Sequence, residues 1–250
     1  MNAGRMNRGW WLIQQALGEA WHLRAGRVIV FAALVVAAGA SVLREFNFGA
    51  EEPRFLCDFA EGTIALFGTV LAIATGVVLV QGGLADGVAA LVLVRGVRRH
   101  EWLLARWVAL CVTLGWLVLP GYFLLGLLLA WHGHGFPVAA LVHAGALMFL
   151  RLTVVAGFAL LACVVARGLL LAAILALALT LAAQLAPVLH WAQQHASPAA
   201  RVGWTMLEWL VPSFVGFESG HGLLRAAGYA MGCAAIYLAA ACVIFSRREL

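Results

Sequence analysis

Apolar runs of about twenty residues, each long enough as a helix to cross roughly 30 Å of hydrocarbon, recur along this sequence from Val28 to Phe245. Six of them can be separated, over residues 28–43, 63–81, 107–131, 138–167, 169–190 and 226–245. The third contains Pro120 and Gly121, where a kink is expected. Composition agrees with a chain that lies almost wholly in a membrane. The 250 residues are 64% hydrophobic and 11% charged, with a mean hydropathy of +0.98, outside the range of water-soluble globular domains. The expected fold is therefore all-α, a single polytopic transmembrane domain over residues 1–250 with six transmembrane helices.

Two further segments are expected at the membrane without an obvious crossing. In residues 1–26, Trp10, Ile13, Leu17 and Trp21 share one helical face while Gln15, Glu19 and His22 share the other, as in a helix lying in the interface; Trp11 adjoins the first face, and Leu12 and Leu23 dilute the second. Gln14, Gln15, Glu19 and His22 also break any apolar core that a cleavable signal peptide would need. In the outer loop 191–225, residues 202–211 are apolar but too short to span, and Pro212 follows; a short re-entrant or interfacial helix is expected there, before the last span. Gly228 and Gly232 form a GxxxG pair in the last span, which reads as a helix-packing contact.

All the positive charge is arginine, and no lysine is present. Arg5, Arg8, Arg24, Arg27, Arg95, Arg98, Arg99, Arg106, Arg167, Arg247 and Arg248 map to the side that carries both termini, against Arg44, Arg54, Arg201 and Arg225 on the other; the terminal side is expected to be cytoplasmic. These arginines flank spans and build no solvated basic domain, which argues against nucleic-acid binding.

Most chemistries lack their residues. Cys57, Cys111, Cys163, Cys233 and Cys242 show no CxxC and read as small hydrophobes, so no disulfide is expected. His100 and Glu101 begin HExxH, but Leu104 occupies the last position. His132, His134, His143, His190, His195 and His221 map to the outer half, and the HxH spacing is the one seed of a metal site; no pair sits on facing spans at mid-membrane depth, as a bis-histidine haem would require. No metal ligand set is expected. Arg151 interrupts the fourth span, and Asp58 and Glu61 stand at the outer mouth of the second; intramembrane charge marks them as candidates for a substrate path, with snorkelling and an interface rim as the plainer account.

The densest cytoplasmic charge falls between the second and third spans, in residues 82–106: Asp86, Arg95, Arg98, Arg99, Glu101 and Arg106. The interior of this elbow, residues 88–94, is apolar, so it is expected to dock against something. The run VLVRGVRRHEWLLARW (residues 92–107) resembles a segment of the type 2 ABC transporter permeases, with Arg95, Val97, Arg99, Glu101 and Arg106 on the pattern. The N-terminal helix with Glu19 and Arg24, the Pro212-Ser213-Phe214 triplet and the ending VIFSRREL are similar to that family's opening, last loop and close. The pattern departs at Gly83, Gly87, Val88 and Gly96.

The resemblance implies a permease subunit of an ATP-driven exporter in a bacterial cytoplasmic (inner) membrane, both termini cytoplasmic. The elbow would be a coupling helix seated on an ATPase, with Arg98, Arg99 and Glu101 as leading contacts, and a second permease copy or homologue would complete the pathway within membrane lipid. A Walker A loop needs a lysine, so ATP and Mg would belong to a separate ATPase subunit and the chain itself would be no enzyme and hold no cofactor. A histidine-rich metal-handling or redox protein and a non-transporting membrane assembly factor are the other readings.

Overall fold

The computed structural model describes residues 3–22, 25–43, 52–85, 87, 97–133, 135–186, 212–217 and 222–247, and among them the chain is all-helical. The helices are α1 (Ala3–His22), α2 (Ala25–Leu43), α3 (Glu52–Val77), α4 (Arg99–Trp131), α5 (Val138–Val165), α6 (Leu169–Gln184) and α7 (Leu223–Arg247). A π turn (Val78–Gly82) and a short α turn (Gly83–Ala85) prolong α3, and a 3-10 turn (Phe214–Phe217) precedes α7. Four helices are long and apolar enough to cross a membrane: Pro53–Ala85, Arg99–Trp131, Val138–Val165 and Leu223–Arg247. Helices α2 and α6 coincide with the first and fifth apolar runs but have only 19 and 16 residues, about 28 and 24 Å at 1.5 Å per residue.

Two helices start two turns or more before their apolar runs. Helix α3 begins at Glu52 rather than residue 63, because Leu56, Ala60 and Ile64 continue a buried stripe at four-residue spacing while Arg54 and Asp58 face outward. Helix α4 begins at Arg99 rather than residue 107, with Trp102 and Leu103 buried in its first turns. Its 33 residues span about 50 Å, so both ends extend past a hydrocarbon layer of about 30 Å. The helix continues through Pro120.

The centre of the bundle is α5, which packs against α3, α4, α6 and α7. Its residues from Leu152 to Leu160 are buried on every side, as expected of a helix enclosed by others. Lipid is as apolar as these side chains, so close packing rather than hydrophobic transfer holds such helices together. Glycine allows it: a Cβ on Gly68 would lie 2.6 Å from Leu152, and one on Gly76 would lie 3.1 Å from Ala159 and from Leu110. Gly228 and Gly232 differ from the expectation of a packing contact. They face outward on α7, and nothing among the described residues lies within 4 Å of a Cβ added to either.

The segment before α7 enters the bundle. Phe214 is buried against Phe158, ring centroids 6.4 Å apart, and beneath Arg151, which lies halfway along α5. Non-helical backbone at such depth is tolerated where protein surrounds it and its polar groups are satisfied. Pro212 has no N–H, and the Ser213 N–H donates to the Tyr229 hydroxyl at 3.0 Å. The expected helix at 202–211 lies outside the described residues.

Candidate functional site

The end of α3, the start of α4 and the ends of α5 and α7 meet at one end of the bundle, which carries both flanks of the elbow. Asp86, Arg95 and Arg24 lie outside the described residues, as does the apolar elbow interior 88–94. The other charged residues of the expected coupling segment form one connected array.

Arg98 is the exposed residue before the first turn of α4, and its backbone N–H donates to Glu101 Oε2 at 3.1 Å. This is half of a capping box: the carboxylate satisfies a donor at the helix start and sits favourably at the positive end of the helix dipole. Arg99, one residue on, reaches away from its own helix. Its Nη1 donates to the carbonyls of Phe245 at 2.9 Å and Ser246 at 3.2 Å, in the last described turn of α7. Its guanidinium carbon also lies 5.9 Å from the centroid of the Phe245 ring.

Phe245 is fully buried and stacks on Trp102 of α4, centroids 5.7 Å apart and planes inclined by 20°. Trp102 in turn lies beneath Arg106, whose guanidinium carbon is 5.2 Å from its ring. Arg106 is only 4% exposed and forms an ion pair with Glu19 of α1, while Gln15 Nε2 donates to the other oxygen of that carboxylate at 3.2 Å. The row Arg99, Phe245, Trp102, Arg106 and Glu19 thus joins three helices. Its floor is Gly83, where a Cβ would lie 3.2 Å from Trp102 and 3.3 Å from Arg106 Nη2, so the bare glycine makes room for the indole and the guanidinium.

Helix α1 docks through a face other than the expected one. Leu12, Ala16 and Ala20, four residues apart, are buried with Gln15 and Glu19 beside them, and α1 packs on α4. Trp10 and Trp11 are 61% and 52% exposed on the outward side, suited to a headgroup region where an indole keeps one end wet. Leu12, which looked like a blemish on the polar face, belongs to the contact.

A further tie comes from a residue that the sequence reading had used only to end a span. Gln81, buried in the π turn, donates from Nε2 to the carbonyls of Cys163 at 2.7 Å and Ala166 at 3.0 Å, at the end of α5. A lone amide at the end of an apolar run is the signal that could have found it, because a polar group in hydrocarbon needs a partner.

Arg151, Asp58 and Glu61 stand away from this array. Arg151 holds its guanidinium carbon 4.8 Å from the Phe214 ring, and Asp58 and Glu61 lie in the first turns of α3 towards the opposite end. Near that end an apolar cleft of about 540 Å³ opens between α4 and α5, lined by Gly115, Tyr122, Phe123, Phe136, Gly145 and Phe149. None of the three charged residues lines it. Among the described residues no three His, Cys, Asp or Glu side chains converge, and His132 directs Nδ1 to its own helix at Leu128 O, 2.6 Å away.

No protein-family model matches the chain, and no curated protein or solved structure is detectably similar to it.

Proposed function

We propose that this chain is the transmembrane permease subunit of an ATP-driven ABC exporter, coupled through its elbow to a separate ATPase subunit and paired with a second permease. In this reading α2 to α7 all cross the membrane, α2 and α6 as the two short spans. The elbow end is cytosolic, in a bacterial cytoplasmic membrane, with both termini on that side. Arg151 and the neighbouring mouth of α3 with Asp58 and Glu61 belong to the substrate path. ATP and Mg reside in the partner.

The observation that carries the proposal is the position of the elbow's two flanks. Both lie near the docked N-terminal helix, at the end where Arg98, Arg99, Arg106, Arg167 and Arg247 gather, against Arg54 and Arg225 at the far end. A segment on which a motor pushes needs a firm base, and the two flanks of this one are bonded to neighbouring helices.

The array also selects the residue to test. Arg99 and Glu101 have partners within the chain, whereas Arg98 presents an exposed side chain next to the elbow. Purification of the chain from its own cells in mild detergent should recover an ABC ATPase, and Arg98→Glu should lower that recovery several-fold with membrane insertion unchanged. A chain that purifies without an ATPase and stimulates none is an assembly factor. Stoichiometric metal or a visible absorption band in the purified protein would instead support metal handling.

A further inference from the structure

Three side chains bracket the elbow, and each leaves its own helix to hold a different one. At the entry, Gln81 holds the end of α5 through two carbonyls. At the exit, Arg99 holds the end of α7 through two more, and two turns further on Arg106 holds α1 through Glu19. The stacked pair Trp102 and Phe245 fills the space between the two arginines.

These ties differ in kind from the apolar contacts that fill the core of the bundle. Apolar contacts between membrane helices resist sliding only through the shape of their surfaces. A guanidinium or amide bonded to two carbonyls at a helix end fixes direction as well as distance. The π turn adds to this, since its extra residue shifts the side chains that follow by about 100° from the uninterrupted repeat and so sets the direction in which Gln81 leaves α3.

We propose that the two flanks of the elbow and the adjoining ends of α1, α5 and α7 form one rigid plate, in which Gln81, Arg99 and Arg106 are positioning residues that turn any displacement of the elbow into a displacement of all three helices. The permease reading supplies only the force in this picture; the plate itself stands independently of any ATPase.

Amide hydrogen exchange on the full-length protein in lipid nanodiscs tests it without a partner. Arg106→Met should raise exchange at least tenfold in three separate places: residues 10–20 of α1, residues 99–105 of α4 and the last turn of α7. The double variant Glu19→Arg, Arg106→Glu should restore protection in all three, which a role in packing alone would not do. Loosening confined to α1 would overturn the proposal, as would a swap that rescues nothing. Should Arg106→Met lose the fold altogether, the milder Arg99→Gln decides: exchange must rise at the start of α4 together with the end of α7, and a rise in α7 alone would overturn the plate. Failure to recover an ATPase would count against the permease reading and leave these outcomes unaffected.

Discussion

The two ends of the bundle are held by different forces. At the elbow end, side chains cross between helices to bond backbone or counter-charge: Gln81 to α5, Arg99 to α7 and Arg106 to α1. Towards the other end the contacts between α4 and α5 are apolar, with Tyr122 against Gly145, Phe136 over Gly126 and Phe123 edge-on to Phe136, and a cleft of about 540 Å³ remains between these two helices. In a solvent as apolar as the side chains, contacts of the second kind pack without orienting, whereas contacts of the first kind do both. In the proposed plate the elbow end is the fixed reference, and the α4–α5 contact is where shape is free to change.

The sharpest way to break this comparison is Arg106→Met. Removing one partner of a buried ion pair costs about 3–5 kcal/mol when the other charge is left dry. The Glu19 side chain keeps 37% exposure, so water recovers part of that, and a loss of about 2–3 kcal/mol is expected. Thermal unfolding in detergent, followed by circular dichroism, would measure it. In a double-mutant cycle with Glu19→Gln the two losses should fall short of additive, since both remove the same bond. A variant within about 0.5 kcal/mol of the parent would mean that α1 is held by Leu12, Ala16 and Ala20 alone, and the contrast between the two ends would disappear.

Phe214→Ala should cost less, although a larger side chain is lost. A buried Phe→Ala change in water-soluble proteins costs about 3–5 kcal/mol, part of which is transfer from water. That part shrinks when the unfolded reference is itself in lipid or detergent, leaving the vacated contacts with Phe158 and Phe217 and the loss of the ring beneath Arg151. About 1–2 kcal/mol is expected in the same melting experiment. A loss larger than that of Arg106→Met would show that the mid-bundle contact, not the elbow end, is the reference.

The helices were legible in the sequence because membrane thickness dictates run length: the described part of each of the six runs is almost entirely helical, and four of those helices are long and apolar enough to cross a membrane. Their ends were not, because a helix leaving hydrocarbon changes composition without changing conformation; Glu52–Gly62 and Arg99–Arg106 look like loops to a hydropathy argument. The site was half legible. Arg99, Trp102 and Arg106 fall three and seven residues apart, on one face of a helix, which was available to be read. Their partners Phe245 and Glu19 lie 146 and 87 residues away, and no local pattern distinguishes an arginine that caps a distant helix from one that faces an ATPase.

The finest test uses two glycines in apolar helices that a sequence cannot tell apart. Gly68 is enclosed: a new Cβ would lie 2.6 Å from Leu152 and 3.4 Å from Leu117, at the ends of side chains that can turn aside. Gly68→Ala should therefore cost about 1 kcal/mol, at the low end of overpacking. At Gly228 nothing among the described residues lies within 4 Å of an added Cβ, so Gly228→Ala adds a methyl to a face that they leave bare, and the effect should stay within about 0.5 kcal/mol. Melting curves of the two variants beside the parent measure the difference, which depends on packing alone because both helices gain the same atom. If Gly228→Ala lost as much as Gly68→Ala, the outward ridge of α7 would have to be covered in the assembled protein, and the division that matters would run between covered and bare faces rather than between the two ends.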